Sequence, residues 1–371
     1  MGLLSSTSLY RAAILLAFLY FLSKSSFPSL LARLTSNCRR TSVSLESDFG
    51  IDGEPCFVVI GASAGMGLEM ARILASRRAF VIATGRTIEK TKAAFAQKQI
   101  ANDRIRSVVA LELADNDSVD RAAQALLVEM SKCAKVDTIF FQAGMLYSAF
   151  GPVDHIGADN VDLTYRSNFM GYARLAKRLI PHINKNVTRV VLSSSTNHYG
   201  GSVADMLNPK ASSESELTMS KRINWYASSK ASVQALAREM RNQGVMAATV
   251  TPGVVLTDLV MFGFGIPFLN QGLLAYLANV FLFTPTEGAM YTLWAARINL
   301  PASHNIMLSP YYLPPWGFFG QDDGSVVYQN LAIVLFEFTQ RLYARPGYMW
   351  ECPEAPFIEK IQASMKQRFF L

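Results

Sequence analysis

From Pro55 onward the chain alternates between short apolar runs and longer segments whose apolar residues recur three or four apart. Phe57–Ile60, Phe80–Ala83, Ser107–Leu113, Thr138–Phe141, Arg189–Leu192 and Ala247–Val250 have strand length. Their density of Val, Ile and Phe predicts strands buried on both faces. Between them, Leu68–Ser76, Ile88–Lys98, Val119–Cys133, Val161–Ile183 and Trp225–Arg241 carry helical spacing. Strands alternating with helices of this length imply an α/β fold with a parallel sheet covered on both faces. Right-handed crossovers then make the sheet doubly wound.

The pattern breaks at two places. Ala12–Leu22 is an unbroken apolar run between Arg11 and Lys24, short against the roughly 20 residues of a full span. With its flanks, residues 9–34 offer a tilted membrane anchor. A cleaved signal peptide or a Ser-rich, acid-free transit peptide are the alternatives. Four basic residues after the run against one before it favour a cytosolic body, with endoplasmic reticulum association as the expectation. Residues 35–54 read as a polar linker. The second break is Leu259–Phe283, which carries no charge. Pro267, Asn270, Gln271 and Asn279 argue against a clean span, so residues 259–283 read as an apolar lid or interfacial helix. The chain thus divides into residues 1–45, a main domain over 46–300, and an aromatic-rich extension over 301–371.

Composition narrows the function classes. Half of the 371 residues are hydrophobic and 17% are charged, enough for a large core and unlike a disordered chain. Residues 1–45 contain five basic residues and no acid. They account for most of the formal charge of +7, so the body is nearly neutral and carries no nucleic-acid footprint. Cys38, Cys56, Cys133 and Cys352 form no C-x-x-C pair, and the four His show no H-x-x-x-H spacing. Neither a metal site nor a disulfide framework is expected.

The chemistry gathers at strand ends. Phe57–Ile60 runs into Gly61-Ala-Ser63-Ala-Gly65-Met66-Gly67 and then a helix. Such a turn lets backbone approach a pyrophosphate and presents free N–H groups and a positive dipole end. At the end of the second strand, Gly85 stands where an acid would bind a ribose 2′-hydroxyl, and Arg86 follows, which favours NADP over NAD. Asn168 sits inside a long helix, where Asn is mildly unfavourable. Ser193-Ser194-Ser195 leaves the fifth strand at the crevice end of the sheet. Tyr226 and Lys230 are one helical turn apart and share a face. An ordinary Tyr hydroxyl titrates near ~10, and a neighbouring lysine cation is expected to lower it.

These parts, with Pro252-Gly253, come in the order of the short-chain dehydrogenase/reductase family, and the resemblance covers residues 55–300. Within the family the chain resembles the retinol dehydrogenases, in Leu111–Val119, Arg189–Gly200, Thr251–Thr257 and the long insert between Ser195 and Tyr226. The resemblance implies a Rossmann fold with about seven parallel strands. It also implies an NADP(H)-dependent oxidoreductase interconverting carbonyl and alcohol on a lipophilic retinoid, steroid, terpenoid or fatty ketone. It implies Tyr226 as general acid/base, and Lys230 lowering its pKa and binding the nicotinamide ribose. Ser195 would hold the substrate oxygen, with Ser194 as the alternative, and Asn168 would hold a water. Gly61, Ser63, Gly65, Met66 and Gly67 would line the pyrophosphate turn, with Arg86 beside the ribose and Glu112 and Leu113 on the adenine. Ala143 and Gly144 would border the cofactor after the fourth strand, and Pro252, Gly253 and Thr257 would close over it. Membrane contact through residues 9–34 and 259–283 fits such a substrate, and a homodimer stays open. A 3-ketosphinganine-reductase-like role in lipid synthesis and a non-catalytic NADP(H) sensor are the competing functions. The family usually has Thr before the first glycine and Asn-Asn-Ala-Gly after the fourth strand. Here stand Ile60 and Phe141-Gln142-Ala143-Gly144, which predicts a less firmly held cofactor turn.

Overall fold

The computed structural model describes residues 53–146, 160–195, 197–198, 201–210, 218–263, 283–296, 307–309 and 320–321. Residues 9–34, most of the apolar segment after Leu259 and most of the extension after 301 lie outside the described residues.

Among the described residues eight strands form one sheet, in the order β3-β2-β1-β4-β5-β6-β7-β8. They are β1 (Cys56–Ile60), β2 (Phe80–Gly85), β3 (Ile105–Ala110), β4 (Val136–Phe141), β5 (Arg189–Ser193), β6 (Met246–Val250), β7 (Met307–Ser309) and β8 (Gly320–Gln321). The first seven are parallel, and β8 pairs antiparallel with β7. This is the doubly wound α/β architecture expected. The third strand begins two residues earlier and ends three earlier than its apolar run, at Ala110. Leu111–Leu113 therefore leave the sheet edge and turn into the crevice. β7 and β8 fall after residue 300, so the sheet continues into the segment set apart as an extension.

Alternation along each strand feeds two cores. Val58 and Ile60 pack on one face, with Ile139, Phe141, Val190 and Leu192. Phe57 and Val59 pack on the other, with Val81, Ala83, Phe140 and Val191. Three helices with buried faces cover the second core: α1 (Gly65–Ser76), α2 (Ile88–Gln97) and, across the sheet, a C-terminal helix over Pro285–Ala295. On the first face lie α3 (Asn116–Ser131), the segment containing α4 (Leu163–Tyr165) and α5 (Gly171–Leu179), and a long helix over Met219–Asn242. In chain order the remaining helices are α6 (Val203–Leu207), α7 (Met219–Asn242), α8 (Asp258–Gly263) and α9 (Pro285–Ala295).

Two local findings depart from the sequence reading. The helix expected over Val161–Ile183 is interrupted by a π-helical turn at Arg166–Met170. And Cys56 and Cys133 form a disulfide, with Cα atoms 6.0 Å apart. The pairing is invisible in spacing because it depends on β4 lying beside β1. That register places Cys56, the first residue of β1, opposite Val136 at the start of β4.

Candidate active site

The carboxyl ends of the strands open into a cleft of about 560 Å³. Its floor starts at the glycine turn. Gly61 and Gly65 have φ of +92° and +56°, in the left-handed region. A Cβ on Gly67 would stand 1.9 Å from the Gly61 carbonyl oxygen, and one on Gly61 would stand 2.6 Å from the Ala143 backbone. Glycine is thus required where the turn closes on itself and where β4 passes it.

Ile60 cannot supply the hydrogen bond expected of a Thr. Thr84 of β2 supplies one instead. Its hydroxyl accepts from Gly61 N at 3.0 Å, and its carbonyl accepts from Ala62 N at 2.7 Å. A fully buried residue of the neighbouring strand thus holds two successive N–H groups of the turn. Gln142 has a comparable substitute. Ser193 donates its hydroxyl to Gln142 Oε1 at 2.8 Å, and the backbone N–H groups of Gln142 and Ala143 both donate to the Ile60 carbonyl. Tyr172 donates to the Ala143 carbonyl from below. The expected weakness of the turn is offset by contacts from other elements.

The first turn of α1 points its N–H groups into the same cleft. Its N-cap, Ala64, makes no side-chain cap, and the first turn holds no acid. A helix start so bare fits an anionic group. Thr257 lies opposite, its methyl 3.4 Å from where a Gly65 Cβ would be. Arg86 is exposed at the cleft edge. Glu112 accepts from Ala114 N at 3.0 Å, a contact that orders the Glu112–Leu113 wall. Every one of the seventeen candidate residues lines this single cleft: Gly61, Ser63, Gly65, Met66, Gly67, Arg86, Glu112, Leu113, Ala143, Gly144, Asn168, Ser195, Tyr226, Lys230, Pro252, Gly253 and Thr257.

Tyr226 and Lys230 lie well inside α7, two turns from its start at Met219, and both are buried. Ser195 lines the cleft with Tyr226, and its hydroxyl accepts from Asn197 N at 3.2 Å. Ser194 turns the other way, donating to the Lys230 carbonyl at 3.1 Å and accepting from Gln234. Ser194 is thus committed to α7. The Lys230 ammonium donates to the Ser193 carbonyl at 3.1 Å and stands 5.7 Å from the Tyr226 ring centre. Asn168 lies in the π-turn with its side chain committed. It accepts from Met145 N at 2.8 Å, and donates to the Met145 carbonyl at 2.8 Å and to Ser229 Oγ at 3.2 Å. Gly144 sits between the two, since a Cβ there would be 3.3 Å from Lys230 Nζ and 3.9 Å from Asn168 Oδ1.

The electrostatics differ from expectation in sign. Burial pushes the Tyr226 hydroxyl up to about 12, opposed only by the nearby Ser195 hydroxyl. Burial pulls Lys230 down to about 8. Desolvation of the phenolate outweighs any help from the lysine, so Tyr226 is protonated at neutral pH, the form that can donate.

A match to the short chain dehydrogenase model spans residues 55–205. A short-chain dehydrogenase/reductase of Armillaria gallica is 26% identical over 273 residues, covering 71% of this chain and 82% of that protein. Retinol dehydrogenase 11 of Mus musculus is 26% identical over 283 residues, covering 74% of this chain and 84% of the relative. The chain is similar to the short-chain dehydrogenase/reductase family, and among its members to the retinol dehydrogenases. Human retinol dehydrogenase 12 is 28% identical over 64% of this chain and 72% of its own length. A solved structure of an uncharacterized protein from Mycobacterium paratuberculosis superposes with a TM-score of 0.55 at 22% identity, covering 87% of this chain and 96% of that one, and supports the fold. The likeness to the short-chain dehydrogenase/reductase family supports an oxidoreductase acting on alcohols or carbonyls, and that family uses nicotinamide cofactors. Among the described residues no group of His, Cys, Asp and Glu could hold a metal ion, and no helix is long and apolar enough to cross a membrane.

Sequence reasoning found the conspicuous residues and missed Thr84 as the support of the turn, Gln142 with Ser193, and Ser167. Thr84 directly precedes Gly85 and Arg86 in the chain, but nothing in a linear pattern says that its hydroxyl faces Gly61.

Proposed function

We propose that the protein is an NADP(H)-dependent oxidoreductase interconverting a carbonyl and an alcohol on a lipophilic substrate, with Tyr226, Lys230, Ser195 and Asn168 as its working set. One observation carries the reading. Ser195, Tyr226 and Lys230 line the same cleft as the bare start of α1. The nicotinamide cofactor, when bound, supplies or accepts the hydride at the substrate carbon. Ser195 and Tyr226 together offer two hydroxyls to one substrate oxygen. In the reducing direction Tyr226 gives its proton to that oxygen, and the carbonyl becomes an alcohol. The Lys230 ammonium stabilises the phenolate left behind. Asn168, fixed by the Met145 peptide, keeps Gly144 and the Lys230 end of the cleft in place.

NADP over NAD is supported by Arg86 at the end of β2, with Gly85 in place of an acid. A Cβ on Gly85 would meet Thr91 Oγ1 at 2.1 Å, so an acid at this position would not fit without rearrangement. The lipophilic substrate is supported by Met145, Leu146, Val254, Val255, Leu259 and Val260 along the cleft. Phe283, the last residue of the uncharged segment, pairs with the backbone beside the cleft: Leu256 N donates to its carbonyl at 2.8 Å, and Phe283 N donates to the Val254 carbonyl at 2.9 Å. Membrane association through residues 9–34 goes with this reading.

The test follows NADPH and NADH absorbance against a panel of hydrophobic ketones and aldehydes, with Tyr226→Phe beside the wild type. The expected result is turnover with NADPH preferred. The variant should lose at least about a thousandfold in turnover, within the span of a missing acid/base group and its electrostatic role, while still binding NADPH. Unimpaired turnover in Tyr226→Phe refutes the assignment.

A further inference from the structure

Asn168 spends every polar atom of its side chain on protein partners. Its neighbour Ser167 spends none. The Ser167 hydroxyl is buried, the residue being 5% exposed, and no acceptor or donor among the described residues meets it. The residue nevertheless lines the cleft. A regular helix turns successive residues about 100° apart, so only one of two neighbours normally faces a given groove. The π-turn at Arg166–Met170 widens the helix locally and lets Ser167 and Asn168 both face the cleft.

An unmade hydrogen bond at a buried hydroxyl costs stability, and folded chains seldom keep one without a use. The surroundings indicate the use. Gly171, which follows the π-turn, lies against Leu113, where a Cβ would stand 2.3 Å from the Leu113 carbonyl oxygen. The helix carrying Ser167 is therefore pressed against the wall formed by Leu111, Glu112 and Leu113. This wall lies at the end of β3, on the opposite side of β1 from β5 and β6. Tyr226 and Lys230 meet the β5 exit from that other side. Ser167 thus stands between the β3 wall and the Asn168–Gly144 pair.

We propose that the Ser167 hydroxyl is a positioning contact for the adenosine half of the bound dinucleotide, made by a residue whose own fold leaves it without a partner. The proposal rests on the reading of this cleft as a nicotinamide-dinucleotide site and adds the π-turn to it.

The experiment measures the binding of NADPH, of adenosine 2′,5′-bisphosphate and of nicotinamide mononucleotide to the full chain by fluorescence or calorimetry. Thermal melting without ligand is recorded alongside. Ser167→Ala should weaken NADPH and the bisphosphate by the same factor, about five- to tenfold as for a lost hydrogen bond. Nicotinamide mononucleotide should be unaffected, and the ligand-free melting point should hold or rise, because the unpaired hydroxyl is gone. Ser167→Cys, similar in shape with a weak hydrogen-bonding group, should follow Ala and guards against a packing effect. Wild-type affinity for NADPH in both variants overturns the proposal. A ligand-free melting point that falls with affinity in both variants also overturns it, by making Ser167 structural. If the wild type bound none of the three ligands, the dinucleotide reading itself would fail.

Discussion

Removing the Cys56–Cys133 disulfide should lower stability more than any single surface change. The bond joins the first residue of β1 to the end of the α3 segment across a sequence separation of 77. In the chain-entropy account, closing a loop of that size restricts the unfolded chain by about 4.5 kcal/mol, an upper figure because residual structure in the unfolded state reduces it. At roughly 2–4 °C per kcal/mol for a domain of this size, the melting point should fall by about 9–18 °C at most. Cys133→Ser is the better variant, since Cys133 is only half-buried whereas Cys56 is 1% exposed and its remaining thiol packs as a small apolar group. Melting would be followed by circular dichroism with and without reductant. Reduced wild type should melt with the variant, and the variant should ignore the reductant. Thiol titration in denaturant should find two fewer free thiols before reduction than after. A wild type that melts like Cys133→Ser under oxidising conditions would refute the reasoning.

Other outcomes follow from the site. Thr84→Val removes the hydroxyl that accepts from Gly61 N while keeping the shape, and should weaken NADPH binding about three- to tenfold, as for one hydrogen bond; Thr84→Ser should restore it. Carbonyl reduction should decline as pH rises through about 8, where the buried Lys230 loses its charge, with Tyr226 near 12 adding no limb in that range. For stability the sign is opposite. Burying the Lys230 cation is costly below about pH 8, and the cost vanishes as pH rises from there towards the ordinary lysine value, read by denaturant titration across pH 7–10. The side of the membrane that the body faces is checked in sealed microsomes by protease protection and deglycosylation. Asn116 and Asn186 head exposed Asn-x-Ser/Thr sequons, and the disulfide favours an oxidising, luminal location over the cytosolic one read from the flanking charges. An unglycosylated, protease-accessible body would exclude it.

What could be read from the chain was whatever is encoded locally. The glycine turn, the Tyr226–Lys230 pair and the serines after β5 each announce themselves through spacing, and strand-helix alternation gave the layered sheet. What could not be read is what the sheet order creates. Thr84 supports Gly61 because β2 lies beside β1, and Gln142 meets Ser193 because β4 lies beside β5. Ile60 looked like a defect for the same reason, its compensation standing 24 residues away on another strand. The π-turn was hidden because helical periodicity tolerates one extra residue, and the sign of the Tyr226 shift depends on burial that spacing does not report.

The Cys56–Cys133 bond has a topological consequence. Between the two half-cystines run β1, the glycine turn, α1, β2, α2, β3 and α3. With the bond intact, this stretch is a covalent ring. A single backbone scission anywhere inside it, including the exposed Lys98–Asp103 corner, opens the ring without separating two molecules. Both pieces stay tethered, each with its strands still in the sheet, and a nicked protein would run as one species until reduced. The cofactor half can therefore be cut and remain assembled, a protection that the half of the sheet beyond β4 does not derive from this bond.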